Sequence, residues 1–320
     1  VRIVFLGSGA FGLPTLEWLV AHHEVVAVVS QPDKPAGRGK VLTPTPIAAR
    51  AAGLGLPVAK PADVNEEGMR AAVRGHRADA WVVIAFGQKL SRELLDGVFA
   101  VNLHGSLLPA YRGAAPIQRA VMDSCAETGV SVISLAERMD AGLVYATASR
   151  PIGARETSDD VHDQLALLGP GVIGEVLARH AAGTLVGEVQ DESRATRARK
   201  LSKAEATIDL SAVSAAVARA RINGLNSWPG CTVRIGDVSV KLLRVEECGE
   251  ACGEACGEEC GATGDAPLLE ADGVVRAAVG AIRVLEVQPV GGKAMTIGEF
   301  LNGRPRLVGC AVRPIAPEGV

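Results

Sequence analysis

The sequence predicts an α/β fold in two parts, a doubly wound parallel sheet followed by a small OB-like β-barrel. Three observations carry that reading. Short continuous apolar runs alternate with helix-like stretches through the first half of the chain, and beyond Trp228-Pro229-Gly230 the pattern turns to short β runs separated by Gly and Pro. The 320 residues are also enough for two domains of about 150 residues each.

In the first part, the runs at 3–6, 25–29, 79–86 and 98–103 are bounded by Gly, Pro or charge, as buried parallel strands are. Between them, 13–21, 47–52, 66–74 and 115–122 have helical periodicity, which completes a βαβα series. Val161, Leu165, Leu168, Val172 and Val176 recur at steps of four and three, predicting an amphipathic helix interrupted or kinked around Gly169-Pro170-Gly171. Residues 191–203 are polar and basic and read as a linker. A helix over 211–222 follows, with Val213, Val217 and Ala220 on one face. Strands are then expected at 232–235, 238–245, 274–279 and 282–287.

Composition narrows the function. The net charge of −3 and pI of 6.1 exclude a protein that coats nucleic acid or anionic membrane by bulk charge. Six glutamates between Glu246 and Cys260 account for the sign, since the rest of the chain would carry +3. Four of the seven cysteines lie in that same segment at steps of four, a poor match to paired zinc-ligand spacing, so the segment reads as a mobile hairpin loop between two barrel strands, with adventitious metal binding as the alternative. The odd cysteine count favours reduced thiols. No apolar run approaches a membrane span, and the first strand breaks into glycines too early for a signal peptide. A cytoplasmic monomer, with neither membrane partner nor metal, is the expectation.

Four motifs bear on chemistry. Gly7, Gly9 and Gly12 form G-x-G-x-x-G, read equally as a dinucleotide signature or as a tight turn that lets a helix pack closely. Lys34, Arg38 and Lys40 stand on a Gly/Pro frame expected to be a long exposed loop, either solvated or in contact with phosphates. One buried strand delivers Asn102 and His104, which face the same way because side chains alternate along a strand, ahead of Ser106-Leu107-Leu108-Pro109. Asp140 lies in a turn between two strands, where it either caps the turn or partners His104.

These residues resemble a known family. Asn102-x-His104-x-Ser-Leu-Leu-Pro with a later Asp140-x-Gly is similar to the folate-dependent formyltransferases, which share a Rossmann-like catalytic domain. The stretches 31–40, 112–119, 189–192 and 200–206 and Trp228-Pro229 extend the likeness, in order, to members acting on tRNA. The resemblance implies a catalytic domain at 1–189, a basic linker at 190–207 and a tRNA-binding barrel at 208–320 with an insertion at about 246–262. It implies formyl transfer from 10-formyltetrahydrofolate to the amino group of methionine on initiator tRNA. Asn102, His104 and Asp140 would be catalytic. Phe86, Gly87, Ser106, Leu107, Leu108 and Pro109 would form the folate pocket. Lys34, Arg38, Lys40, Arg197, Lys200 and Lys203 would meet the tRNA. The glycines at 7–12 would then be structural, since the family does not bind NAD. Ala110-Tyr111 departs from the family pattern in a stretch that is often basic and aromatic, where a substrate contact would be altered, and Leu143 departs from it without touching the catalytic trio. Formyl transfer to a small amine leaves the basic linker and second domain without a purpose. An NAD-dependent oxidoreductase leaves Asn102-x-His104 unexplained, and a pure RNA-binding module leaves the first domain unexplained.

Overall fold

The computed structural model describes residues 1–37, 39–248 and 266–315. The chain divides into two compact units. The first comprises Val1–Gly113, Thr128–Arg150 and His162–Arg197; the second comprises Ala114–Glu127, Pro151–Val161 and the described part of Ala198–Val320. Among the described residues no helix is long and apolar enough to cross a membrane.

In the first unit the chain runs β1 (Arg2–Gly7), α1 (Leu13–His22), β2 (Glu24–Val29), β3 (Lys34–Ala36), β4 (Val41–Thr43), α2 (Pro46–Gly53), β5 (Val58–Ala59), α3 (Glu67–Gly75), β6 (Ala80–Ile84), α4 (Arg92–Leu95), β7 (Ala100–His104) and β8 (Arg112–Gly113). After α5 (Pro116–Met122) come β9 (Glu127–Ser134), β10 (Val144–Pro151), α6 (Ser158–Ala166) and α7 (Gly169–Ala181). The seven-stranded sheet has the order β10-β9-β7-β6-β1-β2-β5. Strands β1, β2, β5, β6 and β7 are parallel, and β9 adds antiparallel to β7.

The apolar runs become parallel strands because both faces of the sheet are covered. On one face Val4, Leu6, Trp81 and Val83 cluster with Val73 of α3 and Leu94 of α4. On the other, a Cβ at Gly12 would lie 3.1 Å from Phe5 and 3.3 Å from Ile47 of α2. At Gly7 a Cβ would sit 2.6 Å from Phe5 Cε1 and 2.9 Å from the Ile84 carbonyl. Close approach of backbone to sheet is therefore what these glycines permit.

The described geometry bears on three readings of local structure. The helix across Val161–Val176 is interrupted rather than kinked: it is two helices, because Gly169-Pro170 starts α7. Proline at the first turn lacks only an N–H that would have no intrahelical partner. The stretch expected as a loop after Gln31 forms a hairpin, β3 against β4, paired Lys34↔Thr43, Pro35↔Leu42 and Ala36↔Val41. Val41 and Leu42 are each 67% exposed, so backbone pairing rather than core burial shapes it. The basic stretch 191–203 is also structured: Asp191 caps a turn, and Ser202 and Glu205 form a capping box. Ala198 and Leu201 are buried.

The second unit adds β11 (Arg197–Ala198) at its border, α8 (Ala215–Gly224), β12 (Cys231–Ile235), β13 (Val238–Glu247), β14 (Val274–Arg276), β15 (Ala281–Pro289), β16 (Met295–Thr296), α9 (Ile297–Asn302) and β17 (Val312–Pro314). Its antiparallel sheet has the order β14-β15-β13-β12-β17, with β16 on β15. Register shifts between Leu242 and Val245 bend the long β13–β15 pair. Leu269 bridges to Val275 and Leu268 to Ala311, so the segment between them joins the two ends of the curled sheet. Most of the Cys-Gly-Glu segment, with the hairpin-loop reading attached to it, lies outside the described residues.

Helix α8 corrects a fourth expectation. Ser211 spends its hydroxyl on Asp209, while Ser214 accepts the Val217 N–H and becomes the N-cap. The helix therefore starts later, and its buried positions include Ala215, Ala218 and Ile222. Val217 is 45% exposed, although Ala220 is buried as expected. Cys231 lies fully buried in this core, where burial pushes its thiol up to about 12. Iodoacetamide at pH 8 is expected to leave Cys231 unlabelled in the native protein and to label it after denaturation, as read by peptide mass spectrometry. Native labelling at the rate of a free cysteine would contradict the closed core.

Candidate active site

The site is built where strands end. Gly7 of β1 pairs with Ile84 of β6, and from β1 the strand order runs outward through β2 and β5 on one side and β6 and β7 on the other. Such a switch point opens a crevice beyond the carboxyl ends of the strands. Ala85 (φ +46°) and Gly87 (φ +83°) turn the chain there, and Ser8 Oγ donates to the Phe86 carbonyl at 3.0 Å. The Phe86 side chain itself belongs to the core, so its contribution to the crevice is backbone.

Next in the sheet, β7 carries Asn102 and His104 on one face, paired across β9 with Ile133 and Ser131. Asn102 is half-buried, and its side-chain amide hydrogen-bonds to none of the described residues. His104 is buried, with Nε2 2.9 Å from the Tyr111 carbonyl. A carbonyl only accepts, so Nε2 carries the hydrogen, and Nδ1 is the nitrogen left for the site. That Nδ1 lies 3.7 Å from Asp140 Oδ2, an approach between residues 36 apart in sequence.

The turn at Ser106–Pro109 is rigid because its polar groups are mutually satisfied. Ser106 Oγ donates to the Ala110 carbonyl at 2.6 Å, so this hydroxyl closes the turn rather than facing the crevice. Ser131 Oγ donates to the Ser106 carbonyl and accepts the Leu108 N–H. Leu108 is buried; Leu107 and Pro109 are partly exposed. Leu107 reaches the backbone at Gly129, where a Cβ would lie 2.5 Å from Leu107 Cδ2.

Asp140 occupies the turn between β9 and β10 at φ +55°, a region Asp tolerates better than most residues. Its Oδ2 accepts the Gly113 N–H at 2.9 Å. Gly142 has no room for a side chain, because a Cβ would overlap the Ser134 carbonyl. Two residues absent from the sequence-derived site complete this region. Arg112 is 8% exposed and Gln190 7%; the guanidinium donates to Gln190 Oε1, and Gln190 Nε2 donates to the carbonyls of Asp140 and Gly142. Both stand in stretches that carry the family likeness, 112–119 and 189–192, but nothing in those motifs announces the burial of a charged or amide side chain.

The expected tRNA contacts are placed differently from the buried Arg112. Lys34 and Lys40 lie on the β3–β4 hairpin and Arg197 at the end of the first unit, while Lys200 and Lys203 belong to the second. All five are exposed, and none makes an ion pair with a described residue. By contrast, Arg119, Arg219 and Arg244 are paired with Glu205, Glu247 and Asp160. Arg38 lies outside the described residues.

Two family models match this chain: formyl transferase over residues 1–177, and the formyl transferase C-terminal domain over residues 200–305. The chain belongs to the formyltransferase family. Among its relatives are the methionyl-tRNA formyltransferases of Moorella thermoacetica, 40% identical over 97% of this chain and 98% of that protein, and of Ectopseudomonas mendocina, 38% identical over 95% of each. At that identity and coverage the chain belongs with the methionyl-tRNA formyltransferases within the family. Solved structures share the fold. An N-formyltransferase from Helicobacter canadensis, in complex with folinic acid and dTDP-3-aminofucose, superposes with a TM-score of 0.63 at 13% identity, covering 89% of this chain and 98% of that one. HypX from Aquifex aeolicus with tetrahydrofolic acid gives 0.61 at 16%, covering 94% of this chain and 48% of that one.

Proposed function

We propose that this chain transfers a formyl group from 10-formyltetrahydrofolate to the α-amino group of methionine carried by the initiator tRNA, giving formylmethionyl-tRNA for translation initiation. The observation that supports it most is the approach of His104 Nδ1 to Asp140 Oδ2, 3.7 Å apart, with Asn102, whose amide is unpartnered among the described residues, on the same face of β7 as His104.

In formyl transfer the amine nitrogen bonds to the formyl carbon, the bond from that carbon to N10 breaks, and negative charge passes over the formyl oxygen. The Asn102 amide is the donor for that oxygen. It needs no reorganisation to serve, since it gives up no protein partner. His104 acts through Nδ1, its Nε2–H being committed to Tyr111. The proton lost by the amine passes to the Asp140 carboxylate, directly or through His104 Nδ1, and from that pair to the departing N10. The Gly87 backbone and the Leu107–Pro109 turn border the folate, with Ser106 and Phe86 holding those walls from behind.

Lys34, Arg38, Lys40, Arg197, Lys200 and Lys203 meet the tRNA. The five of these that are described are exposed without an acidic partner among the described residues, which leaves them free to neutralise phosphates, and a few chosen contacts are compatible with a net negative chain. Replacing Lys200 and Lys203 together by alanine is expected to raise KM for tRNA about tenfold and lower the salt dependence of binding by about two counterions. KM for the folate should stay within twofold; an equal rise in both would remove these lysines from the tRNA surface.

Incubation with 10-formyltetrahydrofolate and methionyl initiator tRNA, followed by detection of formylmethionine, tests the reaction. Transfer is expected. Folded protein that formylates only small amines would overturn the reading.

A further inference from the structure

The buried Arg112–Gln190 pair supports an assignment beyond the trio. A guanidinium withdrawn from water is costly unless its donors are engaged. Here Nε and Nη2 donate to Gln190 Oε1 at 3.0 and 2.7 Å. Nη1 and Nη2 donate to the two carboxylate oxygens of Glu192 at 3.2 and 2.9 Å. Glu192 also accepts from Arg138, and these two arginines hold its carboxyl below the usual carboxylate range. The guanidinium is thereby committed to the protein.

Fixing Oε1 fixes the other end of the Gln190 amide. With its oxygen facing Arg112, Nε2 faces away, and its two hydrogens go to the carbonyls of Asp140 and Gly142, both at 2.8 Å. Those carbonyls belong to the turn that holds Asp140 at positive φ. The same chain segment that carries Arg112 touches the site twice more: the Tyr111 carbonyl accepts from His104 Nε2, and the Gly113 N–H donates to Asp140 Oδ2. Thr196 anchors this segment, since its Oγ1 accepts the Tyr111 N–H and its carbonyl the Arg112 N–H.

We infer that Gln190, oriented by Arg112, is a positioning residue for the transfer step, holding the Asp140 turn so that the carboxylate stays against His104. The inference rests on the catalytic reading of Asp140, and the test separates the two. Gln190→Met keeps the length and removes both sets of hydrogen bonds. Gln190→Glu keeps the acceptor for Arg112 but sets a carboxylate against the two carbonyls. Both variants are expected to lower kcat about tenfold or more, because small displacements of a reacting group are expensive. KM for each substrate should stay within twofold. In an Asp140→Asn background the Gln190→Met change should alter kcat less than twofold, since its effect runs through the carboxylate already lost. A wild-type kcat in Gln190→Met, or the same loss in both backgrounds, overturns the inference. If Asp140→Asn alone turns over like wild type, the catalytic reading fails instead. Should Gln190→Met not fold by circular dichroism, the same cycle is run with Gln190→Glu.

Discussion

Asp140→Asn and His104→Ala are each expected to lower kcat for formyl transfer by about a hundredfold or more, with the protein still folded. The asparagine variant is the sharper probe. It keeps an oxygen that accepts the Gly113 N–H and so keeps the turn, while removing the charge that faces His104 Nδ1. His104→Ala removes the imidazole and leaves Asp140 held by Gly113 and by its own backbone. Single-turnover formylation at saturating substrates, beside far-ultraviolet circular dichroism, measures both. Turnover within threefold of wild type in both variants would take the proton-transfer role away from this pair.

Asn102→Ala is expected to cost about 100- to 1,000-fold in kcat, the usual loss when a donor to a developing oxyanion is removed. Little stability should go with it, on the order of 0.5 kcal/mol, because the amide satisfies no described group whose partner would be left unpaired. Asn102→Asp should be at least as inactive, since a carboxylate repels the charge that the amide attracts. The combination of an unchanged melting temperature with a large loss of kcat identifies transition-state stabilisation. A kcat within threefold of wild type in Asn102→Ala would place the oxyanion against another donor.

Much of this was legible in one dimension. Strands β1, β6 and β7 follow from short apolar runs with Gly or charged ends, and the two-residue period alone puts Asn102 and His104 on one face. Helix α8 starts at Ala215 rather than near Ser211 because the Ser211 hydroxyl turns to Asp209 while Ser214 caps the helix, a choice that helical periodicity does not report. The hairpin at Lys34–Thr43 was missed because Gly, Pro and Lys dominate it, and its ladder is carried by backbone groups that composition does not report.

By itself the sequence determined the α/β class of the first part, the β character of the second, the pairing of Asn102 with His104 and the likeness to a folate-dependent family. These depend on local periodicity and on motifs read along the chain. Only the tertiary structure decided that Asp140 stands 3.7 Å from His104, that Ala114–Glu127 groups with the second unit, and that Arg112 is a buried clamp rather than one more surface cation. The physical reason is the same in each case. Burial and long-range pairing are properties of the folded whole, and a charged residue's role follows from which carbonyls and carboxylates the fold brings to it.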